Sequence, residues 1–269
     1  MQTFIGRDPA NAAAMAADWL ATRITEDVGE RGRCVLALSG GQTPWKMLEE
    51  LITRNVPWHG LQVVQVDERV VPLDDSRRNF THIHDLLCKR GRLEEKQLHP
   101  ISLERPDPDL VAREYAKALE ALAGSPPIID IVHLGLGSDG HTASLLPGDA
   151  TLRIMDRDTA ATGLYAGTRR ITLTLPCLNR ARAHLWLITG ADKARCLREL
   201  IKGEGHTPAV RVARDNAATQ FQRAADPEKL PPRHPVPEHQ RSVPLRCRPP
   251  CRKSWSCRTQ RSRASSAAP

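Results

Sequence analysis

Three short stretches carry side chains able to do chemistry, and each follows directly on an apolar run. They are Ser39-Gly40-Gly41-Gln42-Thr43-Pro44, Asp67-Glu68-Arg69-Val70-Val71-Pro72 and Gly135-Leu136-Gly137-Ser138-Asp139-Gly140-His141-Thr142-Ala143-Ser144. His141 is the natural proton acceptor near neutral pH, because an unperturbed imidazole titrates close to pH 6.5. Asp139 stands two residues before it. The first stretch joins a strand to a helix beginning at Pro44, with Thr43 as its expected cap. Free backbone N–H groups at such a helix start, approached through Gly40 and Gly41 and flanked by the Ser39 and Thr43 hydroxyls, make an anion site. The same pattern also describes an ordinary strand-to-helix turn. Likewise, Asp67, Glu68 and Arg69 read either as a salt-bridged turn or as part of a site at a strand end.

The elements that must position these residues alternate. Apolar runs at 34–38, 61–66, 128–134, 170–175 and 185–189 read as strands, and amphipathic or alanine-rich segments at 9–30, 44–54, 79–89, 107–123 and 193–202 read as helices. That order predicts an α/β fold, an open and mostly parallel sheet with helices on both faces, Rossmann-like in layout. In such sheets ligands bind outside the carboxyl ends of the strands, where all three stretches fall. Lys193, in the first turn of the last helix, opposes the helix dipole, and a bound anion would account for it.

The chain has 269 residues, of which 40% are hydrophobic, enough for a substantial core. No apolar run reaches the roughly 18 to 20 residues that span a bilayer, and the start lacks the pattern of a secretory signal. Seven cysteines, an odd number, argue against a disulfide framework. A cytoplasmic location is expected. The net charge of +8 suggests a polyanionic partner until it is located: residues 227–269 hold ten Lys and Arg and two Asp and Glu, leaving 29 of each sign before them. The charge belongs to the end of the chain and implies neither specific nucleic-acid binding nor membrane binding for the main domain.

The three stretches, in this order, resemble those of the glucosamine-6-phosphate isomerase/6-phosphogluconolactonase family. Arg170-Ile171-Thr172-Leu173-Thr174-Leu175-Pro176 and Gly190-Ala191-Asp192-Lys193-Ala194 fall where the family has similar segments. The run after His141, Thr142-Ala143-Ser144-Leu145-Leu146-Pro147, is similar to that of the lactonases rather than the deaminases. The resemblance implies hydrolysis of 6-phospho-glucono-1,5-lactone to 6-phosphogluconate in the pentose phosphate pathway, with no cofactor and no metal. It implies His141 as general base, Arg69 as stabiliser of the developing oxyanion, and Asp67 orienting Arg69 or a substrate hydroxyl. Ser39, Gly40, Gly41, Thr43, Asn79, Gly137, Asp139, Arg170 and Lys193 are the implied substrate and phosphate contacts. The partner is then a small phosphorylated sugar lactone.

Two departures bear on this reading. Arg78 stands where the family usually has serine before Asn79. The match also fades after about residue 212, so that a lactonase-like domain is expected over 1–226 without the family's closing strand and helix. The segment 227–269 contains nine prolines with many arginines and serines. It reads as a disordered tail, a composition that an out-of-frame reading of GC-rich DNA also produces. A related phosphosugar deaminase or isomerase, or a sugar-phosphate binder inactivated by the altered end, are the alternative functions.

Overall fold

The computed structural model describes residues 1–215 and 217–222, and the expected tail at 227–269 lies outside the described residues. In chain order the elements are β1 (Gln2–Gly6), α1 (Pro9–Arg31), β2 (Cys34–Leu38), α2 (Gln42–Leu51), β3 (Leu61–Gln65), β4 (Asp67–Arg69), α3 (Asn79–His84), β5 (Leu98–His99), α4 (Pro108–Ala123), β6 (Ile131–Leu134), β7 (Thr159–Ala161), β8 (Arg170–Leu173), α5 (Leu175–Asn179), β9 (Ala183–Ile188), α6 (Ala194–Lys202) and β10 (Ala217–Gln222). Local chemistry sets the helix ends. Asp8 caps α1 by accepting from the N–H of Asn11 at 2.8 Å, Pro9 follows at the first position, and Gly32 ends the helix in the left-handed region at φ 72°. Asp107 and Pro108 open α4 in the same way.

Seven strands form one sheet in the order β1-β10-β9-β6-β2-β3-β5, and every pairing in it is parallel. Both faces are covered, as a parallel sheet requires. Leu36, Leu38, Val63, Ile131, Leu185 and Leu187 point to the side of α1 and α2. Val64, Val132, Leu134, Trp186 and Ile188 point to the side of α4 and α6. A second, antiparallel sheet of order β4-β8-β7 is built from the Asp67-Glu68-Arg69 stretch and the Arg170 strand.

Three expectations change. The Asp67 stretch is a strand, because β8 supplies it with a hydrogen-bonding partner that the sequence order does not suggest. The 79–89 helix is α-helical only to His84 and continues as a π-helical turn over Asp85–Lys89. The closing strand is present: β10 lies between β9 and β1, with Ala217 opposite His184 and Ala218 opposite Leu185 and Gln2. Pairing on both sides satisfies the backbone of a strand whose Ala-Ala-Thr-Gln start carries little apolar signal. Among the described residues the edges of the sheet are therefore β1 and β5.

One buried group makes stability depend on pH. His133, inside β6, is fully buried and neither ring nitrogen has a partner among the described residues. Burial pushes its pKa down from 6.5 to about 3. The unfolded chain takes up this proton near pH 6.5 while the folded chain resists it, so stability is fully present above that pH and falls as the pH drops toward 3. Urea midpoints measured between pH 7.5 and pH 4 are expected to fall more steeply for the native sequence than for His133→Leu.

Candidate active site

Four adjacent strands, β9, β6, β2 and β3, run in parallel, so their carboxyl ends emerge side by side. Lys193 follows β9, the glycine run with His141 follows β6, Ser39 and Gly40 follow β2, and Asp67 follows β3. They enclose a cleft of about 230 Å³ lined also by Arg69, Asn79 and Arg170. A larger groove of about 680 Å³ lies between α1 and the starts of β1, β9 and β10. It has no histidine in its lining and none of the three motif stretches reaches it, so the smaller cleft is the candidate site.

His141 is held from behind. Its Nδ1 lies 2.6 Å from Asp139 Oδ1, which also accepts from the His141 backbone N–H at 3.1 Å. Partial burial works to raise the Asp139 pKa, but the backbone N–H, charge and ring of His141 outweigh it and the carboxyl is held below its usual value. Nε2 is thus the ring nitrogen left for a proton from the cleft. A Cβ on Gly137 would overlap the imidazole, so this glycine is required for the ring to approach the backbone. Asp139 acts on His141 and is not in the cleft lining.

The other wall depends on a buried carboxylate. Glu68 Oε1 accepts the backbone N–H groups of Arg69 and Asn79, each at 2.8 Å, and Oε2 accepts from Phe80 N at 2.8 Å and Gln65 Nε2 at 2.9 Å. This ties β4 to the start of α3. Asn79 then donates from Nδ2 to the Asp67 carbonyl at 3.0 Å and accepts Arg69 Nη1 at 2.8 Å. Gly40 leaves the room Asn79 needs, since a Cβ there would overlap its side-chain amide. Arg78 does not enter the cleft lining: it is buried, its Nε lies 4.0 Å from Glu68 Oε2, and its guanidinium stacks over Phe80.

Of the two partners expected for Asp67, Arg69 is not the one it meets, while the place of Asp67 in the cleft lining leaves it beside the space a substrate hydroxyl would occupy. Its Oδ2 accepts the Ser144 hydroxyl at 2.6 Å, and it is Asn79 that holds Arg69. Ser144 Oγ in turn lies 3.4 Å from Arg170 Nη1. Arg69 and Arg170 are direct cross-strand partners in the β4–β8 ladder. Burial works to lower the Arg170 pKa, Asp67 works against it, the nearby Arg69 charge adds to the lowering, and the net shift is downward. Like charges directly opposite each other are unfavourable unless an anion joins them.

The expected anion cradle is brought together in part. Ser39, Gly40, Arg170 and Lys193 line the cleft, whereas Gly41 and Thr43 do not. The Ser39 hydroxyl donates to the His133 carbonyl at 3.0 Å. Thr43 does not cap α2; the N-cap is Gly41, at φ 133°, and the Thr43 hydroxyl instead meets that of Thr189 at 2.7 Å. Lys193 Nζ pairs with Asp192 at 2.6 Å. Glu68, Ser144 and Tyr165, whose ring lies 5.9 Å from that of His141, are missing from the sequence-derived set. The acidic doublet at 67–68 includes Glu68 and the stretch ending in Ala143-Ser144 includes Ser144, whereas nothing in the sequence singles out Tyr165.

The family model for glucosamine-6-phosphate isomerases/6-phosphogluconolactonase matches residues 7–221. The chain belongs to this family. The match includes most of β10, in agreement with the closing strand seen in the fold. Among its relatives, the 6-phosphogluconolactonase of Synechocystis is 37% identical over 187 residues, covering 68% of this chain and 78% of its own length. The 6-phosphogluconolactonase of Rhizobium meliloti is 32% identical over 232 residues, 81% of this chain and 95% of its own length. The crystal structure of 6-phosphogluconolactonase from Thermotoga maritima superposes with a TM-score of 0.73 at 26% identity, covering 82% of this chain and 98% of that one. The family fold is thus the α/β fold found here. Among the described residues no helix is long and apolar enough to cross a membrane.

Proposed function

We propose that this chain is a 6-phosphogluconolactonase, opening 6-phospho-D-glucono-1,5-lactone to 6-phospho-D-gluconate without a metal ion, as the oxidative pentose phosphate pathway requires. One observation carries the reading beyond the family: Arg69 and Arg170 face each other across a two-strand ladder, with Lys193 on the same cleft and Asp67 as its one lining carboxylate among the described residues. Such a site favours an anionic small molecule. His141 Nε2 takes a proton from water as the water oxygen attacks the lactone carbonyl carbon. Arg69, fixed by Asn79, stabilises the negative charge that develops on the carbonyl oxygen. When the tetrahedral intermediate collapses, the ring C–O bond breaks and the imidazolium returns its proton to the departing ring oxygen. Asp139 holds the imidazole in the tautomer with Nε2 free. Arg170 and Lys193 take the phosphate, the lysine exchanging Asp192 for the ligand.

The assay that tests this compares loss of the phospholactone with release of ammonia from glucosamine 6-phosphate, both against buffer. Turnover of the lactone alone is expected, and turnover of the amino sugar alone would replace this reading with a deaminase. Arg170→Ala and Lys193→Ala are each expected to reduce the preference for phosphorylated over plain gluconolactone by about 10- to 100-fold, the scale of one lost charge-assisted hydrogen bond. Some fall in turnover accompanies this, since remote binding energy positions the reacting end. Unchanged preference in both variants would place the phosphate elsewhere.

A further inference from the structure

The hairpin between β7 and β8 ends in a tight turn whose geometry is strongly determined. Tyr165 N donates to the Thr168 carbonyl at 3.0 Å and Thr168 N donates back at 3.1 Å, with Ala166 and Gly167 both left-handed at φ 49° and 77°. Two left-handed central residues form the two-residue turn that suits the twist of a hairpin. The base of the turn is also tied, by Thr162 N to the Arg170 carbonyl at 2.8 Å and by Arg170 N to Thr162 Oγ1 at 3.0 Å. The direction of Tyr165 is thereby fixed.

That direction brings one aromatic ring against two site residues at once. The Tyr165 ring meets the His141 ring at a centroid distance of 5.9 Å and an interplanar angle of 63°, an edge-to-face contact. The Arg170 guanidinium carbon lies 5.1 Å from the Tyr165 centroid. The hydrogen-bonding hold on Arg170 is otherwise weak: Nη1 reaches Ser144 only at 3.4 Å, and Nε is buried without a hydrogen-bond partner among the described residues. Tyr165 is itself absent from the cleft lining, so it acts through these two neighbours.

We infer that Tyr165 is a positioning residue for the reaction proposed above, its ring holding the plane of the His141 imidazole and the guanidinium of Arg170 in the geometry the substrate meets. The ring is what matters, and the hydroxyl is not used. This inference rests on the lactonase reading for its kinetic consequence but not for its structural one. In the full-length chain, Tyr165→Ala and Tyr165→Leu are expected to lower kcat/KM for the phospholactone about tenfold, the scale of a partly desolvated cation–π contact. Tyr165→Phe is expected to restore it to within about twofold, since the face of phenylalanine also attracts a cation. Imidazole nitrogen NMR, with His141→Asn to assign the signal, supplies a readout that needs no substrate. The His141 resonances should move in Tyr165→Ala and Tyr165→Leu and stay in Tyr165→Phe. If the native chain fails to open the lactone but these shifts occur, the function is wrong and the positioning role stands. If His141 signals are unchanged in both ring-less variants, or if phenylalanine is as damaging as alanine, the positioning role by the ring is overturned.

Discussion

His141→Asn lowers the catalysed rate of phospholactone opening by about 10²- to 10⁴-fold, the usual cost of removing a general base, while binding of 6-phosphogluconate changes little. Asparagine keeps a polar group of similar size beside Asp139 and Gly137 but cannot take up a proton from water. The loss should fall on kcat, because Arg170 and Lys193, the cations proposed to bind the phosphate, are untouched. Stopped-flow rates together with product affinity by calorimetry separate the two effects. Turnover near the native value would mean that another group activates the water.

Glu68→Ala is expected to have the largest effect on stability, because Glu68 is fully buried and its two oxygens satisfy three backbone N–H groups and the Gln65 amide. Truncation leaves those donors unpaired in a dry interior, and leaves the buried Arg78 guanidinium without its nearest opposite charge. Each unsatisfied buried donor costs roughly 1 to 3 kcal/mol, and breaking a buried charge network as a whole costs about 3 to 5 kcal/mol. Urea unfolding should show a loss on that scale. Activity should fall too, since the Arg69 and Asn79 backbones are no longer tied together. A loss below about 1 kcal/mol would show that water or rearranged side chains satisfy the same donors.

Much of the candidate site was legible because its residues follow adjacent parallel strands. Ser39, Asp67, Gly137, His141 and Lys193 each stand just beyond an apolar run, and the rule that such ends share a crevice brings them together without knowledge of any contact. What the order of elements hides is the pairing of β4 with β8, a contact between residues more than 100 positions apart. That pairing places Arg170 opposite Arg69, and the packing around it turns Asp67 toward Ser144. Local patterns also say nothing about which carboxylate is buried. Asp67 and Glu68 are neighbours in a strand, so their side chains point to opposite faces: one toward the cleft and the other into the backbone of α3. The role of Gly40 and Gly137 as space for Asn79 and His141, in addition to bending the chain, likewise depends on three-dimensional approach. Finally, β10 went unread because its six residues show no clear alternation and owe their place to partners on both sides.

A proton acceptor at the end of β6, in a cleft of opposed cations, is proposed to open a phosphorylated lactone. The most direct measurement follows 6-phospho-glucono-1,5-lactone by NMR at neutral pH in buffer, with increasing amounts of the native chain, and with His141→Asn at the same concentrations. A rate rising in proportion to the native chain, with His141→Asn close to the buffer line, is the predicted result. A native chain indistinguishable from buffer, or a His141→Asn variant as fast as the native chain, would contradict it.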